Sequence, residues 1–175
     1  AMPSGGAITI NSKSGKQFSE ILKSKRWVGI TGRKGPIYDV SSLGWNYYMN
    51  EFSAAIGIEQ LKKLNKTNSQ RKKIAKRFSK ELKIEEKMPF NENCSFHFYW
   101  IQVKNRKNFM KKMSENNIET GIHYNPIHKM SFYNSKIALP ITETAGSRIV
   151  SLPTHPNLTD NDINRIIKMA NKFAR

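Results

Sequence analysis

Phe52, Ala55, Ile56, Ile58, Leu61 and Leu64 recur at three- and four-residue spacing, which is the period of one broad helical face. Asn50 stands just ahead of them, where its side chain can accept from the first-turn N–H groups. Asn65 to Ser69 reads as a break or kink. Beyond it, Ile74, Ala75, Phe78 and Leu82 line a second helix with Lys and Arg opposite. Phe18, Ile21 and Leu22 predict a shorter helix running to about Lys25. Phe109, Met110 and Met113 predict another, ending at Asn116-Asn117 because Asn tolerates the left-handed cap. Thr142 to Arg148 is expected as a short helix. Thr159-Asp160-Asn161-Asp162 is a capping-box pattern ahead of Ile163, Ile166, Ile167 and Ala170.

Between the helices lie extended runs. Gly6–Ile10 is expected as a strand closed by a turn from Asn11 to Gly15. Phe96–Val103 is apolar on both faces, which predicts a strand inside a sheet covered by helices. Glu119–Tyr124 and Ile149–Leu152 are the remaining strands. Val28 to Ser42 holds Gly29, Gly32, Gly35 and Pro36 and reads as an irregular, mobile loop. Its glycine spacing matches neither the P-loop nor the dinucleotide fingerprint. Antiparallel strands separated by helices predict an α+β fold, a small antiparallel sheet with helices on one face.

Composition narrows the picture. A length of 175 residues suits one core. No run approaches the ~18 consecutive apolar residues of a membrane span, and the first ten residues lack the basic start and apolar core of a secretory signal. Cys94 is the only cysteine, so no internal disulfide forms, and a reducing cytoplasm is expected. Four scattered histidines and no cysteine pair predict no metal site. The balance of 30 Lys+Arg against 13 Asp+Glu gives +17, which raises a nucleic-acid or anionic-surface partner. Most of these cations are Lys, spread over every segment of an Asn- and Ile-rich chain, so a compositional bias accounts for them and nucleic acid is not the expected partner.

Two places carry candidate chemistry. Trp45, Asn46, Tyr47 and Tyr48 form an aromatic loop at the mouth of a helix, whose free N–H groups and dipole suit an anion. Taken from the residues alone, Asn46 is a turn Asn satisfying its own backbone. His123, Tyr124 and His128 form the second place; alone, Tyr124 is a strand residue and His128 a surface histidine. His97 reads as a satisfied core histidine, and His155, between Pro153 and Pro156, as a turn residue.

Leu43-Gly44-Trp45-Asn46-Tyr47-Tyr48-Met49-Asn50-Glu51-Phe52-Ser53-Ala54-Ala55-Ile56-Gly57 resembles the signature of the DegT/StrS family of pyridoxal-phosphate-dependent nucleotide-sugar aminotransferases. Thr120–His128, Leu139–Glu143 and Ser151–Thr159 resemble further segments of that family in the same order. Gly5-Gly6-Ala7-Ile8 resembles the end of the segment that follows the family's cofactor-binding lysine, with Ser4 where the family has Glu. The resemblance therefore implies the carboxy-terminal half of a fold-type-I aminotransferase. Residues 1–48 would be a remnant of the large cofactor domain, 49–85 interdomain helices and 86–175 the small domain. Asn46 would donate to the cofactor phosphate of a partner subunit in a homodimer. Tyr48 stands there too, although the family usually carries a basic residue at that position. His123, Tyr124 and His128 would lie at the substrate entrance. The complete enzyme would use pyridoxal phosphate to move an amino group, from a donor such as glutamate, to a nucleotide-linked keto-sugar, as in polysaccharide biosynthesis. This chain would supply no catalytic residue, bind no cofactor alone and be inactive in isolation. Residues 1–48 would be poorly anchored, and the Ser41–Leu64 region would self-associate. The other expectation is a free-standing module that kept the small-domain fold and binds anions or nucleic acid.

Overall fold

A computed structural model describes residues 5–133 and 135–174. Ser4 lies outside the described residues. Five α-helices and four strands are present among those described: α1 (Gly15–Arg26), β1 (Ile30–Lys34), β2 (Ile37–Val40), α2 (Glu51–Glu81), β3 (Tyr99–Gln102), α3 (Arg106–Glu115), α4 (Pro140–Arg148), β4 (Ile149–Leu152) and α5 (Asp160–Phe173). The fold is α+β, with the strands in two separate two-stranded antiparallel sheets, β1–β2 and β3–β4. No helix among the described residues is long and apolar enough to cross a membrane. The chain divides into two compact units, Ala1–Lys63 and Leu64–Arg175.

The second unit holds the core. Ile74 and Phe78 of α2, Leu82 just beyond it, Tyr99 and Ile101 of β3, Phe109 and Met113 of α3, Val150 and Leu152 of β4, and Ile163, Ile166 and Ile167 of α5 are all buried in one cluster. The helical members are positions whose spacing predicted those helices, whereas Phe52, Ile56, Ile58, Leu61 and Leu64, read from the same spacing as one apolar face, are exposed. Phe78 meets Tyr99 edge-on at 5.3 Å between ring centroids. The Tyr99 hydroxyl donates to the Met88 carbonyl at 2.9 Å, and burial pushes its pKa up to about 12. β3 and β4 pair from Tyr99↔Leu152 to Gln102↔Ile149, and single bridges at Lys87↔Ile101 and Gly121↔Ser151 extend the ladder on both edges. The capping box forms as expected: Thr159 Oγ1 accepts from Asp162 N at 3.2 Å, and Asp162 accepts from Thr159 N at 3.0 Å. Asn117 takes a positive φ of 55° just after α3.

The end of α2 is tied to α5 by side chains. Arg77 pairs with Glu81 at 2.7 Å and reaches Asn164 Oδ1 at 2.6 Å. Asn171 donates to the Glu81 carbonyl at 3.0 Å and accepts from Lys83 N at 2.6 Å. One amide from α5 thereby satisfies the last turn of α2, whose carbonyls have no partners within the helix.

Several local expectations are corrected in this unit. α2 runs unbroken through Asn65–Ser69, because Thr67 Oγ1 bonds back to the Leu64 carbonyl at 2.9 Å and leaves the helical ladder intact. The strand expected over 96–103 starts only at Tyr99, since Phe96 has a φ of 49° and turns the chain. Only one face of that strand is buried, Tyr99 and Ile101, while Trp100 and Gln102 are half-buried. His97, on the turned segment, is exposed rather than in the core. The strand expected over 119–124 reduces to the single Gly121↔Ser151 bridge, after which the chain leaves the ladder.

In the first unit the only buried described residues are Ser24, Gly29 and Ser53. The Gly6–Ile10 run forms no strand: it finds no pairing partner, and Ile8 is exposed. Conversely, Val28–Ser42 is not an irregular loop but contains the β1–β2 hairpin, paired at Ile30↔Val40, Thr31↔Asp39 and Lys34↔Ile37 with a bulge between. Gly32 and Gly35, at φ of 58° and 60°, supply the left-handed positions that the bulge and the turn require. The glycines that suggested an irregular loop in sequence are hairpin chemistry.

Candidate functional site

The aromatic loop of residues 43–48 is sewn to the carboxy end of α1. Trp45 N donates to the Lys25 carbonyl at 2.7 Å, Tyr47 N to the Arg26 carbonyl at 2.9 Å, and Val28 N to the Trp45 carbonyl at 3.2 Å. Trp27 and Asn46 form an antiparallel bridge. This seam depends on two glycines. A Cβ on Gly44 would lie 2.1 Å from Gly29 N, and one on Gly29 would lie 1.8 Å from the Ser42 carbonyl oxygen. Gly44 in the sequence signature is thus a close-approach residue.

The seam presents Asn46 and Tyr48, both exposed, to an open hollow of about 1070 Å³ lined also by Gly6, Lys23, Arg26 and Asn50. The Arg26 guanidinium sits 4.8 Å over the Tyr48 ring, and Trp27 meets that ring edge-on at 6.1 Å. A cation therefore accompanies Tyr48 even though position 48 carries none itself. Asn50 is the helix cap that sequence predicted, its Oδ1 accepting from Ser53 N at 2.8 Å. The hollow thus offers an amide and a guanidinium, donors that fit a phosphate.

The second place lies at the edge of the β3–β4 ladder. His123 Nδ1 is 2.9 Å from Ser151 Oγ, and its ring stacks on Phe98 at 5.3 Å and 10° between planes. Tyr124 meets His123 edge-on at 4.9 Å and is 66% exposed. These two predicted residues come together. His128 belongs to a different group: it is buried, with Nε2 3.1 Å from Glu143 Oε1, and so is not a surface histidine. Glu143 also accepts from Leu139 N at 3.0 Å and pairs with Lys129 at 3.1 Å. The Leu139 amide foremost, then His128 and Lys129, hold the Glu143 carboxyl down to about 2.

Two residues in this second place escaped the sequence reading. Glu143 lay within a quoted segment but had no assigned role: its bond to Leu139 N is local to the start of α4, whereas His128 is fifteen residues away. Gly146 carries α4 against Pro126, where a Cβ would lie 2.4 Å from the proline Cγ. A lone glycine inside a short predicted helix was the available signal. Among the described residues, no group of three or more His, Cys, Asp or Glu is placed to hold a metal.

The DegT/DnrJ/EryC1/StrS aminotransferase family matches residues 1–171. A curated relative, the uncharacterised protein MJ1066 of Methanocaldococcus jannaschii, is 25% identical over 97% of this chain and 50% of its own length. Among solved structures, a DegT DnrJ EryC1 StrS aminotransferase from Brucella abortus is 27% identical, with a TM-score of 0.79 over 90% of this chain and 44% of that one. PseC of Helicobacter pylori, an aminotransferase involved in the biosynthesis of pseudoaminic acid, has a TM-score of 0.81 over 90% of this chain and 46% of that one. At 24% identity that likeness speaks for the fold alone. The chain spans about half the length of the relatives it matches.

Proposed function

Starting from the fact that this chain belongs to the DegT/DnrJ/EryC1/StrS aminotransferase family, we propose that it forms the carboxy-terminal part of a pyridoxal-phosphate-dependent enzyme. That enzyme transfers an amino group, with glutamate as donor, to a nucleotide-linked keto-sugar in cytoplasmic polysaccharide biosynthesis, and works as a homodimer. The observation that carries this reading is the family match over residues 1–171. Pyridoxal phosphate, when bound, supplies the electron sink through which the nitrogen changes hands.

This chain's own residues bind and orient. Asn46 donates its side-chain amide to a phosphate oxygen without a buried charge, and Arg26, stacked on Tyr48, adds positive potential to the same hollow. Tyr48 contributes its hydroxyl to that place. His123 and Tyr124 present an imidazole and an exposed phenol to sugar hydroxyls, with His123 steadied by Ser151 and Phe98. His128 is a positioning residue, which links Glu143 to the segment after Pro126. The residues 1–48, 49–85 and 86–175 are read as large-domain remnant, interdomain helices and small domain.

The test joins this chain to whatever coding sequence precedes Ala1 in its gene and assays glutamate-dependent amination of nucleotide-linked keto-sugars by mass spectrometry. Amination is expected, and Asn46→Ala should weaken cofactor retention by about tenfold, the worth of one charge-assisted hydrogen bond. Borohydride reduction of the 175-residue chain as purified, with no pyridoxal phosphate added, should give no stable adduct. A stoichiometric adduct mapped to a single lysine of that chain, or a cofactor-loaded longer protein that aminates no keto-sugar, would overturn the reading.

A further inference from the structure

We propose that the cavity between α2, the turn ahead of β3 and the start of α5 is an oxyanion site, which takes the phosphate or carboxylate group of a small molecule on Arg71. The cavity has a volume of about 660 Å³ and lies wholly within the unit Leu64–Arg175. Arg71, His97, Asn117, His155, Asp162 and Arg165 are among the residues that line it. The Arg71 Nε is buried and has no hydrogen-bond acceptor among the described residues. A buried guanidinium N–H without an acceptor is costly, because its hydration is lost and nothing replaces it.

Two turns along the same helix the contrast is plain. Arg77 is fully engaged, by Glu81, Asp160 and Asn164. Among the described residues, the fold supplies counter-charges to Arg77 and none within ion-pair distance of Arg71.

The acidic groups at the cavity do not fill the gap. Asp162 Oδ2 is occupied by Thr159, at 3.0 Å from its N and 2.6 Å from its Oγ1. Glu119 is exposed and forms no ion pair among the described residues. Arg165 spends one N–H on the Asn117 carbonyl at 3.3 Å and keeps the rest of its fork. His97 and His155, both exposed, add imidazole nitrogens at the rim. A guanidinium presents five N–H donors in a planar fork and no acceptor, so its complement is an oxyanion with two oxygens to offer. This assignment uses neither Asn46 nor Tyr48, and it adjoins the amino-transfer reading where His123 and Ser151 line the same cavity.

The test is a titration of the 175-residue chain followed by amide and arginine Nε–H shifts in nuclear magnetic resonance. Sodium phosphate and sodium acetate are added in separate arms, with ionic strength held constant by chloride. Saturable shifts confined to Arg71, His97, the 117–121 segment and the 153–155 turn are expected in at least one arm, and the arm that saturates at the lower concentration names the anion. Arg71→Lys keeps the charge and the aliphatic stem but loses the fork. It should weaken binding about tenfold while the spectrum of the core is unchanged. Lys168→Gln, an exposed cation of α5 outside the cavity, should change nothing. Shifts spread over the basic surface without saturation, or saturable binding equally tight in Arg71→Lys, would overturn the proposal.

Discussion

Replacing Gly44 with alanine tests how the aromatic loop is held. The added Cβ would lie 2.1 Å from Gly29 N, 2.7 Å from the Val28 carbonyl carbon and 2.9 Å from Gly29 Cα. All three are backbone atoms, so no side chain can swing away. An ordinary carbon contact needs about 3.5 Å or more, so the two segments must part by about an ångström. Val28 N→Trp45 O is already 3.2 Å long and Trp45 N→Lys25 O is 2.7 Å, and that displacement takes both beyond hydrogen-bonding range. Two to three such bonds at about 1 kcal/mol each give a local loss of about 2–3 kcal/mol. Native-state hydrogen exchange reads this as about 30- to 150-fold faster exchange, at a factor of ten per ~1.4 kcal/mol. The effect should fall on the amides of Val28, Trp45 and Tyr47, while those of α3 and α5 in the other unit keep their protection. If Trp45 and Tyr47 exchange within about twofold of the parent rate, the seam does not rest on the glycine pair, and the account of the loop fails.

Other perturbations have signs fixed by the structure. Thr159→Ala removes the Oγ1 that accepts from Asp162 N and leaves only the Thr159 N–H half of the α5 capping box; it should cost about 1 kcal/mol, seen as a Tm lower by about 2–4 °C, and an unchanged Tm would refute the cap's role. The Glu143 carboxyl is held at about 2, below its ordinary 4.5, so its contribution to stability is complete above 4.5 and is lost as pH falls through about 2. Glu143→Gln should flatten that acid limb of the stability profile, and a variant whose profile over this window superimposes on the parent's would refute the link. Phe52 and Leu61 are 84% and 70% exposed on α2, a run of apolar surface that should drive self-association. Sedimentation of the Phe52→Glu, Leu61→Glu double variant should show a shift towards monomer relative to the parent chain, and identical oligomer distributions would count against that exposed stretch.

The sequence made legible whatever was decided within a turn or two of chain. Asn50, Thr159 and Asn117 sit at helix ends because each satisfies or tolerates a local backbone demand, and α3 and β4 followed from short apolar patterns. Reading failed where a distant partner decides. Asn65–Ser69 looked like a break, but the Thr67 hydroxyl has an acceptor one turn back, and Ile74 and Phe78 farther along the same helix anchor it in the core. His97 sat in an apolar run, and the left-handed φ at Phe96 that swings it outward has no marker in a phenylalanine. The Asn46 loop was visible as an aromatic cluster beside a helix start. That it would be stitched to α1, some twenty residues earlier, was not visible, because the stitches are backbone carbonyls. Glu143 and His128 lie fifteen positions apart, and only the docking of α4 on Pro126 joins them.

The Asn171 amide that closes the last turn of α2 has a bearing on how this chain comes off the ribosome. α2 is made about ninety residues before the side chain that ends it. Until the region of Asn171 emerges, the Glu81 carbonyl and the Lys83 amide must be answered by water, and the helix terminus frays. Folding of the second unit therefore cannot be completed in the order of its sequence. Its first helix waits for its last, and a ribosome paused anywhere between leaves an unlatched α2 with Phe78 and Leu82 open to whatever binds apolar surface first.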